Sequence, residues 1–132
     1  MFRYEQTTGK LSLVTNHGQS ASALISIVIG VGYSGFGANK NNPAAEMIHN
    51  EGPIPRGMWT IGEMILSTPL HGPFVMPLEP QAGTETFGRS GFLIHGDSIV
   101  NPGQASQGCI IMDREIRLII AHSPDKTLEV VT

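Results

Sequence analysis

The longest apolar run in this chain is short. Ala23–Val31 (ALISIVIGV) covers nine residues, with Ser26 and Gly30 among them. A membrane-crossing helix needs about 20, so no span is expected. The run is β-branched and closes with Gly30 and Gly32, which predicts a buried strand. The same punctuation recurs along the whole chain. Gly and Pro supply 16 and 9 of the 132 residues, well below the roughly 25–30% that marks low-complexity disorder. Strand-length apolar runs cut by Gly and Pro predict an ordered, mainly β domain. The length suits a single domain over residues 1–132.

Phe2–Glu5 and Lys10–Val14 flank Thr8-Gly9 and predict an N-terminal hairpin, with a turn at Asn16-His17-Gly18 and a strand over Leu24–Val31. Gly32–Gly57 is rich in Gly, Asn and Pro and reads as a long loop. One helical turn is expected at Pro43–Ile48, because Pro suits a first helical turn. Tyr33, Phe36, Met47 and Ile54 argue that this loop is ordered. Further strands are expected over Met58–Ile65, Phe74–Leu78 and Phe92–His95, with a polar loop at Gln81–Gly91. Small residues at Ala105–Gly108 lead into Cys109-Ile110-Ile111. Ile116, Ile119 and Ile120 then recur at helical spacing, with Asp113 as a cap and Pro124 as a stop, so Asp113–His122 is the one expected helix. Leu128–Val131 closes the chain as a strand. The expected class is mainly β (α+β), a sandwich or barrel with one helix on the C-terminal side of the cysteine.

Eight Lys and Arg against eleven Asp and Glu leave a formal charge of −3, without a block of like charges. Binding to nucleic acid or acidic lipid needs clustered cations, so neither partner is expected. Cys109 is the single cysteine, which rules out an intrachain disulfide or a Cys-based zinc finger. His17, His49, His71 and His122 lie in separate loops or at the helix end without metal-ligand spacing, so no metal or other cofactor is expected. The methionines are scattered and read as core fillers. The opening MFRYEQTTGK is polar where a secretory signal needs an apolar segment.

A lone cysteine carries chemistry only where something takes its proton, because a free thiol titrates near 8.5. Cys109 follows small residues, and Gly108 allows close approach to a ligand or a positive φ. An amide beside it could serve a developing oxyanion. Taken alone, Cys109 reads as one more small buried apolar residue. His95 stands 14 residues upstream, at the end of an apolar strand and before Gly96-Asp97. A neighbouring strand could bring the two together; alone, His95 also reads as a satisfied core histidine.

His95-Gly96-Asp97 followed by Ser106-Gln107-Gly108-Cys109-Ile110 resembles the signature of the L,D-transpeptidase (YkuD-type) catalytic domain. Gly32-Tyr33-Ser34-Gly35, Asn41-Asn42-Pro43, Gly52-Pro53-Ile54-Pro55-Arg56-Gly57 and Arg89-Ser90-Gly91-Phe92 look like a narrower branch, the L,D-transpeptidase-like toxins of type VI secretion. The likeness runs from about Gly32 to Val131. Cross-linking members usually carry Arg two positions after the cysteine, where this chain has Ile111.

The resemblance implies an L,D-transpeptidase-like β-sandwich or barrel and an L,D-carboxypeptidase that removes terminal D-Ala from peptidoglycan stem tetrapeptides or exchanges it. Cys109 would be the nucleophile and His95 the general acid–base, with Ser106 and Gly108 supporting the site. Tyr33, Ser34, Arg89, Gly96 and Asp97 would face the substrate, Arg89 holding the terminal carboxylate. The implied partners are the stem peptide, a secretion apparatus and a cognate immunity protein. Synthesis in the bacterial cytoplasm, secretion without a signal peptide and action in a target cell's periplasm follow from the same likeness. Two other readings stand beside it: a cross-linking L,D-transpeptidase of the producer's own wall, and a non-catalytic wall-binding module.

Overall fold

A computed structural model describes residues 1–16 and 24–132; the expected turn at Asn16-His17-Gly18 falls largely outside them. The elements are β1 (Phe2–Glu5), β2 (Lys10–Asn16), β3 (Leu24–Val31), β4 (Tyr33–Ser34), β5 (Gly57–Ile61), β6 (Ile65–Thr68), β7 (Gly72–Pro80), β8 (Leu93–His95), β9 (Ile110–Ile111), α1 (Arg114–His122) and β10 (Thr127–Val131). Short 3₁₀ turns lie at Gly37–Asn39 and Pro43–Ala45. Among the described residues the class is mainly β with one α-helix near the C-terminus, in agreement with the sequence reading.

All ten strands join one mixed sheet in the order β3-β2-β1-β10-β5-β7-β8-β9-β4, with β6 on β7. The β1/β10 and β8/β9 pairs are parallel and the rest antiparallel. The two ends of this path, β3 and β4, are separated by Gly32 alone. Since consecutive Cα atoms lie about 3.8 Å apart, the sheet must roll until its ends meet. Gly32 permits the closure, because a Cβ there would sit 1.7 Å from the Ile111 carbonyl oxygen. Its N–H donates to the Gly9 carbonyl at 2.8 Å.

Alternation along the strands decides which side chains fill the roll. Phe2 pairs with Leu128 and Leu128 with Trp59, and all three are buried. A second row of core residues runs from Met76 through Ile94 to Ile110 on β7, β8 and β9. Trp59 meets Phe92 edge-on at 5.1 Å and donates to the Pro55 carbonyl at 3.1 Å. Helix α1 lays Ile116, Ile120 and Ala121 against this core. Ile119 is half exposed, while Arg117 is buried in its stead.

Three expectations change. Of the Ala23–Val31 run, Leu24–Val31 is an edge strand rather than a buried one: β2 is its single neighbour among the described residues, and Ile25, Ile27, Val28 and Val31 stay exposed. The Met58–Ile65 segment divides into β5 and the start of β6, because Gly62 leaves the ladder to donate to the Pro77 carbonyl. Strand β7 is longer than Phe74–Leu78 and includes Pro73, Pro77 and Pro80. It is passed from β6 to β8 to β5 along its length. A missing N–H can therefore face a side where no partner stands.

Candidate active site

Strands β8 and β9 run parallel, with Ile94 opposite Ile110 and His95 opposite Ile111. One residue further back, the chain carries Cys109 beside Leu93, whose backbone N–H hydrogen-bonds the sulfur. Ile94 and Ile110 point into the core. By alternation His95 and Cys109 share the opposite face, as diagonal neighbours with Cα atoms about 8 Å apart. Both line one cavity of about 1020 Å³. The parallel pairing brings them to one face despite their separation along the chain.

The His95 ring is buried, and its Nδ1 lies 2.8 Å from the Gly96 carbonyl oxygen. A carbonyl only accepts, so Nδ1 carries the hydrogen and Nε2 bears a lone pair. That Nε2 is buried and has no partner among the described residues. The His71 ring leans over His95 with centroids 4.5 Å apart. Burial lowers the His95 pKa, helped by His71 and Arg117 and opposed by Gly96 and Asp97. Burial also pushes the Cys109 thiol up, against the Leu93 N–H, Arg89 and its own amide. Both shifts favour an uncharged resting pair in which the proton leaves sulfur as attack proceeds. Alkylation by iodoacetamide should therefore be slower than for free cysteine at neutral pH. Its rate should keep rising through and above the ordinary thiol range near 8.5; a midpoint below that range would contradict the uncharged pair.

Ser106 holds the loop that carries Cys109. Its Oγ, fully buried, accepts from the Gly35 and Gly108 amides at 2.9 and 3.1 Å and donates to the Cys109 carbonyl at 2.5 Å. Ser34 does a parallel task. Its Oγ donates to the Gly108 carbonyl and accepts from the Ile54 amide, each at 2.8 Å. Gly108 stands at φ +138°, and a Cβ there would lie 2.6 Å from an Arg89 nitrogen and 2.9 Å from the Phe92 ring. No other residue fits that corner.

The sequence-derived site residues divide into two groups. His95, Gly96, Asp97, Arg89, Gly108 and Cys109 line the cavity. Ser34, Ser106 and Tyr33 do not, so the expected groove-lining place of Ser34 and Tyr33 becomes a framework place behind the wall. The Tyr33 hydroxyl donates to Asp97 at 2.6 Å and accepts from the Ala105 amide. Burial, then Asp97, pushes it up to about 12. Asp97 also accepts from the Ser98 and Gly103 amides. Although burial opposes it, these bonds hold its carboxyl below the ordinary range. Arg89 was expected to meet a substrate carboxylate, yet its terminal nitrogens donate to the carbonyls of Glu46, Pro53, Gly52 and Gln107. It clamps the long loop to the cysteine loop.

The sequence reading missed His71 and Arg117, both on the cavity wall. His71 belongs to the β6–β7 turn, and no local pattern links it to His95. A signal for Arg117 existed: it sits with Ile116 and Ile120 on one face of α1, where a charge is out of place unless it serves something. Of the other discounted histidines, His49 also lines the cavity, while His122 bonds the Leu118 carbonyl at the helix end. His17 lies outside the described residues. Among the described residues no three His, Cys, Asp or Glu gather as a metal site, and no helix is long and apolar enough to cross a membrane.

Comparison with known proteins returns one family: the model of the Tlde1 domain matches residues 30–131. No curated protein and no solved structure matches the chain.

Proposed function

This chain belongs to the Tlde1 domain family of type VI secretion L,D-transpeptidase-like effectors, and on that premise we propose that it is a cysteine L,D-carboxypeptidase. It removes the terminal D-Ala of peptidoglycan stem tetrapeptides and exchanges that residue for other D-amino acids. The observation that carries this reading is the unpartnered Nε2 of His95 on the same sheet face and cavity wall as the lone thiol.

Cys109 Sγ attacks the carbonyl carbon preceding the terminal D-Ala as its proton passes to His95 Nε2. The C–N bond then breaks, the D-Ala amine takes the proton from His95, and a thioester remains on Cys109. Water adds to the thioester with His95 as base, freeing a tripeptide and the thiol; a free D-amino acid in place of water gives exchange. Proton transfer of this kind is worth about 10²–10⁴-fold. The Gly108 amide is held by Ser106, which leaves the Cys109 amide as the backbone donor for the oxyanion. Gly96 keeps the wall beside His95 free of a side chain, and Asp97, held from behind by Tyr33, shapes the rim. The work is done in the periplasm of a target cell, and a producing cell needs an immunity protein that covers the cleft.

Mass spectrometry of purified tetrapeptide muropeptides incubated with the enzyme tests the reading. Tripeptides and free D-Ala are expected, with exchanged tetrapeptides when another D-amino acid is added. Cross-linked dimers as the main product would replace this reading with that of a cross-linking transpeptidase. Unchanged muropeptides would overturn it.

A further inference from the structure

An exopeptidase must recognise the end of its substrate, and Arg89 is not free to do so. From the arrangement around Gly96 we infer that Arg117 is the residue that binds the terminal carboxylate of the substrate. This rests on the carboxypeptidase reading and extends it to specificity.

Arg117 lies on α1 and is only 6% exposed, yet it lines the catalytic cavity. One terminal nitrogen donates to the carbonyls of Pro73 and Phe74 at 2.7 and 3.2 Å, which fixes the plane of the guanidinium. Nε is buried without a partner, and the second terminal nitrogen makes no hydrogen bond among the described residues. No carboxylate of the described residues pairs with it; the ion pairs there are Met1–Asp125, Arg3–Glu129 and Arg56–Glu46. Asp97, on the same wall, is held by Tyr33 and two loop amides. The Asp113 side chain, one turn earlier on the chain, acts on the Arg117 guanidinium only through its charge and forms no ion pair with it. A buried guanidinium with unused donors and no paired carboxylate is costly to keep, and a carboxylate is the group its planar fork fits.

Position gives the second argument. A Cβ on Gly96 would lie 2.8 Å from the free terminal nitrogen of Arg117, so that nitrogen reaches the residue next to His95. In a departing D-Ala the amine and the carboxylate sit on the same carbon. The group that protonates the amine and the group that holds the carboxylate must therefore be neighbours, as His95 and Arg117 are. The same pocket would seat the carboxylate of an incoming D-amino acid in exchange.

The test compares a tetrapeptide muropeptide ending in a free carboxylate with its C-terminal amide. Wild type should favour the acid at least about 30-fold in kcat/KM, mostly through KM. Arg117→Lys and Arg117→Gln should reduce that preference to within about threefold, and a thermal melt shows which variant keeps the fold. Equal use of acid and amide by wild type would overturn the inference while leaving the carboxypeptidase reading intact, as would a wild-type preference kept by a folded variant. Binding of the same acid to the Cys109→Ala protein gives an arm independent of turnover. Arg117-dependent binding without turnover in wild type would retain the anchor and reject the reaction, and binding indifferent to Arg117 would reject the anchor.

Discussion

Cys109→Ala is expected to reduce D-Ala release from tetrapeptide muropeptides by at least about 10⁴-fold, the scale on which loss of a nucleophile acts. No second thiol exists to take over. The loop should survive the change, because Ser106 holds the Cys109 backbone and not its side chain. The sulfur itself has only weak partners, the Leu93 N–H and the Gly91 carbonyl oxygen at 3.9 Å. Stability should therefore fall by no more than about 1 kcal/mol. Chromatographic release of D-Ala together with a denaturant melt checks both halves. Turnover within tenfold of wild type would mean that the reaction does not pass through the thiol.

Ser106→Ala should produce the largest loss of stability, about 3–5 kcal/mol. The change removes one oxygen and leaves the Gly35 and Gly108 amides and the Cys109 carbonyl without their partner. Each orphaned buried group costs about 1–3 kcal/mol, discounted here because the loop relaxes and water enters. Against a total stability of about 5–15 kcal/mol, such a change is severe. Activity should fall about 10²-fold beyond the loss from unfolding, since a catalytic group displaced by about 1 Å costs that much. Urea melts give the first quantity, and turnover per folded molecule gives the second. A loss below about 1 kcal/mol with wild-type turnover would show that the loop is held by something else.

These two residues were named from sequence for one reason: both lie in a short, continuous motif. Ser106 and Cys109 are three residues apart, so their relation is local and survives in the order of letters. His95 is 14 residues away, but the apolar run before it and the glycine after it mark a strand end. Arg89 shows where such reasoning stops. Its role depends on four carbonyls, two of them 37 and 43 residues away, and nothing near Arg89 tells that its donors are occupied. Sequence pattern also counts an arginine on α1 as polar, whereas the packing of that helix over the sheet buries Arg117 and sends Ile119 outward.

The run Ala23–Val31 illustrates the same division. Its β-branched residues and closing glycines determined by themselves that a strand would form, because side-chain stiffness at Cβ and glycine freedom act within a few residues. That it would lie at the sheet edge with Ile25 and Ile27 in solvent was decided by β4, which leaves Gly32 to pair with β9 and closes the roll from the other side. Likewise the order of residues determined that a thiol and an imidazole were available for chemistry. Only the parallel pairing of β8 with β9 placed them on one face, and only the packing of α1 over the sheet brought Arg117 to the wall of the same cavity. Local chemistry is written in neighbouring residues, whereas proximity and spare hydrogen-bond donors arise from contacts between distant ones.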